Sequence, residues 1–223
     1  MHPRVLIFAS GTKTGGGSGV RNLLEQRVMG IVQMEPVAVV SNHENGGVRA
    51  HAEAMGVPFH HMGPPWDETS YLTIIKKLMP DFIVLSGWLK LLVGHDPQRT
   101  INIHPGPLPL TAGLHGDAVH QRAMQAYQRG EIKYSAVTMH FVTERYDEGP
   151  VFFQCPVAIE DGDDWKSLKK RVNAAEHQLQ PFMTNLILRE IIYCSRVGRK
   201  ADGSPIFRVV APEWYGFHKA VLP

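Results

Sequence analysis

The chain has 223 residues, 43% of them hydrophobic and 20% charged, and 23 basic against 21 acidic side chains give a formal net charge of +2. That length suits one large domain or one domain with a small appendage, and that apolar content suits a core that needs no disulfide staples. Charges of both signs are dispersed, which leaves no footprint for nucleic acid or a membrane surface, and no stretch reaches the roughly 20 apolar residues that span a bilayer.

From the N-terminus, Val5 to Ala9 is a short apolar run closed by Ser10-Gly11, as a buried parallel strand would be. A glycine-rich loop follows, then a helical stripe of Val20, Leu23, Leu24 and Val28. Val37 to Val40 predicts a second strand, Gly47 to Met55 a helix, Pro58 to His61 a short third strand and Thr69 to Met79 a helix closed by Pro80. Phe82 to Leu85 and Ile101 to Ile103 predict the fourth and fifth strands. This alternation implies βαβ units and a mostly parallel, Rossmann-like sheet with helices on both faces. Such sheets bind ligands at the carboxyl ends of their strands, where Ser10-Gly11, Ser41-Asn42, Gly87-Trp88 and Asn102 to His104 fall.

The second half differs. Ser135 to Val142 and Val151 to Ile159 are strand-like runs too close together for a crossover helix, so they predict an antiparallel hairpin. A long helix should run from about Asp164 to Ile192, capped by Asp163 or Asp164, and Asp202-Gly203 marks a turn between two short strands in the tail. One α/β domain is expected over 1–223, with a parallel first half (1–104), a second half holding the hairpin and long helix (105–195) and a tail (196–223).

Cys155 and Cys194 match no zinc or redox spacing and read as idle thiols of a reducing compartment. The apolar run near the N-terminus is too short for a signal peptide, so a cytoplasmic location is expected. His60, His61 and His120 read as surface histidines, and no metal site is expected.

The loop from Ser10 to Gly19 contains Lys13, Gly15, Gly16 and Gly17, and it fits neither the Walker A pattern nor the dinucleotide fingerprint. It still leads into a helix N-terminus, whose free N–H groups suit a phosphate. The sharper chemistry is in Asn102-Ile103-His104-Pro105. On a strand, Asn102 and His104 point to the same face. An amide can hold a developing oxyanion and an imidazole can move a proton near neutrality, a pairing suited to attack on a carbonyl. Taken alone, the same two residues would equally suit a turn cap and a core histidine.

Asn102-Ile103-His104-Pro105, Gly113-Leu114-His115, His140-Phe141-Val142-Thr143, Asp147-Glu148-Gly149-Pro150 and Ala175-Glu176-His177 stand in one order and register. Over about residues 4 to 195 this series resembles the folate-dependent formyltransferases. The resemblance implies a formyltransferase fold. It implies transfer of the formyl group of 10-formyltetrahydrofolate to the amine of glycinamide ribonucleotide in purine biosynthesis, by a monomer or homodimer without metal. It carries a catalytic trio onto Asn102, His104 and Asp147, with Asp147 raising the pKa of His104. Folate would lie against Leu89, Lys90, Leu91, Leu92 and Asn102 and against the loop of Thr143, Glu144, Arg145, Tyr146 and Asp147. The acceptor phosphate would rest on Gly17, Ser18 and Gly19, with Asn173 and Glu176 toward its sugar.

The chain departs from the family pattern in places. The glycine loop carries a four-residue insertion, Gly19 stands where the family has asparagine, and Lys90 stands where arginine is usual, turning a forked contact into a point charge. Those changes leave an amino sugar nucleotide open as another acceptor. Family members with an added tRNA-binding or regulatory domain are not expected here. A nucleotide-binding module or non-catalytic relative is the reading from another class; against it, the trio is intact and the loop fails both nucleotide fingerprints. The roles of Lys13 and His115 stay open.

Overall fold

The computed structural model describes residues 1–216. Its first half comprises β1 (Arg4–Phe8), α1 (Ser18–Val28), β2 (Glu35–Ser41), α2 (Gly47–Ala54), β3 (Phe59–His61), α3 (Glu68–Leu78), β4 (Phe82–Leu85) and β5 (Thr100–His104). Its second half comprises α4 (Asp117–Gln128), β6 (Tyr134–Phe141), β7 (Val151–Ala158), α5 (Trp165–Leu188), β8 (Tyr193–Arg199) and β9 (Pro205–Val210). Seven strands form one sheet in the order β3-β2-β1-β4-β5-β6-β7, and β8 and β9 make a separate antiparallel pair. Pairing is parallel from β3 to β5 and antiparallel from β5 to β7.

The apolar runs are continuous because both faces of the parallel strands are covered. Val5, Ile7 and Ala9 enter one core with α1, α2 and α5, while Leu6 and Phe8 enter a second core with Tyr71 of α3 and Trp88. Strands β2 and β4 divide in the same way, Val39 and Val84 to the first core, Val40 and Leu85 to the second. Each of the valine, leucine, isoleucine and phenylalanine side chains among these, fully buried, contributes about 1.5–3 kcal/mol.

The antiparallel hairpin stands as expected. The α5 helix starts where expected: the Asp164 carboxylate accepts the N–H groups of Lys166 and Ser167, and the Ser167 hydroxyl accepts that of Asp164. Such a cap is worth about 1 kcal/mol. The helix ends at Leu188 and not at Ile192, because Glu190 takes a left-handed conformation (φ 52) that turns the chain toward β8. The α4 helix is absent from the sequence reading. Its inner face is built from Val119, His120, Ala123, Met124 and Ala126, too weak an apolar stripe to announce itself, and Gly116 at its N-cap offers no capping side chain. His120 is a correction: it lies on that inner face and is buried, not at the surface. Residues 217–223 of the expected tail lie outside the described residues. No helix among the described residues is long and apolar enough to cross a membrane.

Candidate active site

The rim at the carboxyl ends of the parallel strands is wired together through Ser10. Its N–H donates to Gly87 O (2.9 Å), its carbonyl accepts the Ser41 hydroxyl (3.0 Å), and its hydroxyl accepts the Leu89 N–H (3.0 Å). Three of the four polar strand ends picked out in the sequence thereby meet.

Asn102 and His104 are on β5, where the antiparallel register sets Asn102 opposite His140 and His104 opposite Thr138. Asp147 sits on the loop after β6 in a left-handed conformation (φ 55) that turns its carboxylate back over the strand ends. His104 Nδ1 is 3.5 Å from Asp147 Oδ2, and Asn102 Nδ2 is 3.4 Å from Asp147 Oδ1. The Gly113 N–H donates to Asp147 Oδ2 at 2.9 Å. Asn102, His104 and Asp147 are thus one cluster.

The sequence reading quoted His140 only as part of a motif; in the structure it joins this cluster. Its Nδ1–H donates to Phe141 O at 2.9 Å, which leaves Nε2 to accept one Asn102 amide hydrogen at 3.1 Å. Nε2 also lies 3.3 Å from Asp147 Oδ1. The available signal was its position, directly across a ladder from a residue already chosen. The other Asn102 hydrogen has only the 3.4 Å contact with Asp147 and can turn to a ligand oxygen.

Asp147 does raise the pKa of His104, but a larger effect opposes it. His104 is 3% exposed, and its burial lowers the imidazole to about 4; the Asp147 carboxylate opposes this, while His140 and His120 add to it. Desolvation exceeds the attraction, so the resting ring is neutral at pH 7, not a raised proton donor. Burial disfavours the Asp147 charge too, but the groups around it, with the Gly113 N–H donating at 2.9 Å, hold its carboxyl below the ordinary range.

A second cluster surrounds the glycine loop. Gly17 caps α1 in a left-handed conformation (φ 81), and no side chain caps the helix, so its first amides have no capping partner. The insertion is anchored by the Gly15 carbonyl, which accepts the N–H groups of Thr12 (2.9 Å) and Gly47 (3.2 Å). A Cβ at Gly47 would overlap the carbonyl oxygens of Gly15 and Gly16. From α5, His177 Nε2 lies 3.2 Å from the Ser18 hydroxyl, and Asn173 Nδ2 donates to Glu176 Oε2 at 3.4 Å. Burial raises the Glu176 carboxyl to about 7, with Asn173 opposing. Lys13 is exposed and forms no ion pair among the described residues.

Leu89 is exposed and Leu91 half-buried, whereas Leu92 is packed in the second core and supports that wall from behind. Lys90 Nζ sits 4.3 Å from the Trp66 ring centroid. Thr143, Glu144 and Arg145 border an open cleft between this loop and β9, and Tyr146 is exposed. No group of three or more acidic, histidine or cysteine side chains able to hold a metal occurs among the described residues.

Comparison with known proteins agrees with this architecture. Residues 3–184 match the family described as formyl transferase. The chain is 33% identical to the chloroplastic phosphoribosylglycinamide formyltransferase of Arabidopsis thaliana, over 92% of this chain and 70% of that one. A crystal structure of phosphoribosylglycinamide formyltransferase from Brucella melitensis superposes with TM-score 0.70 at 36% identity, covering 85% of this chain and 95% of that one. That of the Coxiella burnetii enzyme gives TM-score 0.75 at 27% identity, covering 92% and 96%. The chain belongs to the formyl transferase family and is an enzyme of one-carbon transfer.

Proposed function

We propose that the protein transfers the formyl group of 10-formyltetrahydrofolate to the amine of glycinamide ribonucleotide, a step of purine biosynthesis. The observation that carries this reading is the convergence of Asn102, a neutral His104 and a charged Asp147 within 3.5 Å contacts at one strand end. When bound, the folate supplies the activated formyl carbon. The donor set fits such a group: the exposed Leu89 and Tyr146 offer apolar surface, and the loop that carries Tyr146 runs into Asp147, which touches Asn102.

The chain's own residues then divide the work. The Asn102 amide hydrogen that lacks a short partner donates to the formyl oxygen as that oxygen gains charge. His104, neutral at rest, takes the proton that the attacking amine releases, Asp147 balances the imidazolium so formed, and the same proton would pass to the donor nitrogen as its bond to the formyl carbon breaks. The uncapped N-terminus of α1 receives the acceptor phosphate, with Glu176 and Asn173 toward its sugar. In this reading residues 1–104 serve the acceptor, residues 105–195 complete the folate and catalytic side, and the enzyme works in the cytoplasm.

The test is purified protein mixed with 10-formyltetrahydrofolate and glycinamide ribonucleotide, with deformylation followed by absorbance and His104→Ala as control. Acceptor-dependent turnover that the substitution abolishes supports the reading. Turnover only with an amino sugar nucleotide would keep the chemistry and move the acceptor. Folate binding without turnover on any amine would overturn it.

A further inference from the structure

Thr111 is fully buried in the turn that follows β5, in none of the roles assigned above, and its hydroxyl lies 2.9 Å from His104 Nε2. The same oxygen is 3.0 Å from the carbonyl of Pro107, which can only accept. A hydroxyl has one hydrogen, so the two contacts can both be hydrogen bonds in one arrangement only. The Thr111 O–H donates to Pro107 O, and Nε2–H of His104 donates to Thr111. In the opposite arrangement two oxygen lone pairs would face each other at 3.0 Å.

This arrangement leaves Nδ1 bare. At 3.5 Å from Asp147 Oδ2 it makes no good hydrogen bond, and that oxygen already accepts the Gly113 N–H at 2.9 Å. A bare nitrogen beside a carboxylate gains most when it picks up a proton.

Gly106 makes the contact possible. A Cβ there would stand 2.5 Å from Thr111 Oγ1 and 2.5 Å from Val119 Cγ1. Gly106 is not among the residues with positive φ, so the position needs glycine for space and not for conformation. Its backbone cannot retreat freely, because Thr138 donates to its carbonyl at 2.7 Å and Gln154 in turn holds Thr138 at 2.9 Å.

We propose that Thr111 is a positioning residue that keeps the His104 proton on Nε2 and so presents an unprotonated Nδ1 beside Asp147 as the base, with Gly106 reserving the space for its hydroxyl. The inference rests on the formyl-transfer reading for its purpose, but the proton placement can be read without substrate.

The experiment uses the full chain with 15N-labelled histidine and compares wild type with Thr111→Val, Thr111→Ser and Gly106→Ala. The His104 resonances are assigned by their loss in His104→Ala. Wild type at pH 7.5 should show a protonated Nε2 and a bare Nδ1. Thr111→Val and Gly106→Ala should each lose that preference and lower kcat about tenfold, with folate KM little changed and the acid limb of the pH profile displaced. Thr111→Ser should restore both readouts. A wild-type ring protonated on Nδ1 would overturn the proposal, as would a valine variant with unchanged ring shifts and pH profile. Should wild type transfer no formyl group, the functional reading fails while the ring shifts still decide the proton's place.

Discussion

The Asn22 side chain of α1 donates at 2.7 Å to the carbonyl of His177 on α5, the acceptor that Pro181 leaves without a helical N–H. A proline inside a helix removes the donor to the carbonyl four residues back, and here another element supplies it. The bond ties the uncapped start of α1 to the turn of α5 that carries Glu176 and His177. Asn22→Leu, close in shape but unable to donate, should cost about 1–3 kcal/mol in urea unfolding and raise KM for the acceptor more than for folate. Adding Pro181→Ala should recover part of that loss by returning the helical donor. Strict additivity of the two substitutions would argue that the bond contributes nothing.

Two of the buried imidazoles, His104 and His120, shape the acid side of the stability curve. Burial lowers both His104 and His120 to about 4 in the folded protein, whereas an unfolded chain protonates histidine near about 6.5. Between those values the unfolded state holds more protons on these rings, so stability falls as pH drops from about 6.5 toward 4. Glu176, raised to about 7, works the other way from its unfolded value near about 4.3 upward. Two rings outweigh one carboxyl, and acidification should destabilise. His120→Leu removes one titrating ring, and urea midpoints at pH 8, 6 and 5 should then fall less steeply than in wild type. An unchanged slope would remove His120 from this account.

Asn102→Ala should lower kcat by about 10²–10³, the usual effect of removing one donor to a developing oxyanion. Folate affinity, measured by equilibrium binding, should change far less. A variant with wild-type kcat would take Asn102 out of the oxyanion role.

The glycine loop offers a separable effect. Gly47→Ala would press a methyl group against the carbonyl oxygens of Gly15 and Gly16 and push the insertion outward. Steady-state kinetics should show the acceptor KM rising severalfold while kcat at saturation holds. Equal KM values for variant and wild type would mean that the insertion does not shape the acceptor site.

Much of the fold was legible because the parallel strands are buried on both faces and bounded by abrupt polar ends such as Ser10, Ser41 and Asn102. The α4 helix was not, since alanine and histidine on its buried face carry little hydrophobic contrast. Within the site, side-chain alternation alone paired Asn102 with His104. Asp147 came through a resemblance, for nothing local in its loop predicts the left-handed backbone that turns it over the strand ends. His140 and Thr111 depend on strand register and on a buried turn, which no spacing rule encodes. The neutral state of His104 could not be read either, because desolvation is a property of the packed molecule.

The change from parallel to antiparallel pairing at β5 has a consequence for how such a protein can diversify. Asn102 and His140 face each other because two backbones are zipped together, and a slip of β6 by one residue would turn His140 to the face opposite Asn102. The glycine loop, by contrast, grows from β1, two strands away in the sheet, and is tethered by the Gly47 N–H to Gly15 O. A lineage can therefore lengthen, recharge or restitch the loop to audition new amines while the chemical step stays locked in the weave of the sheet.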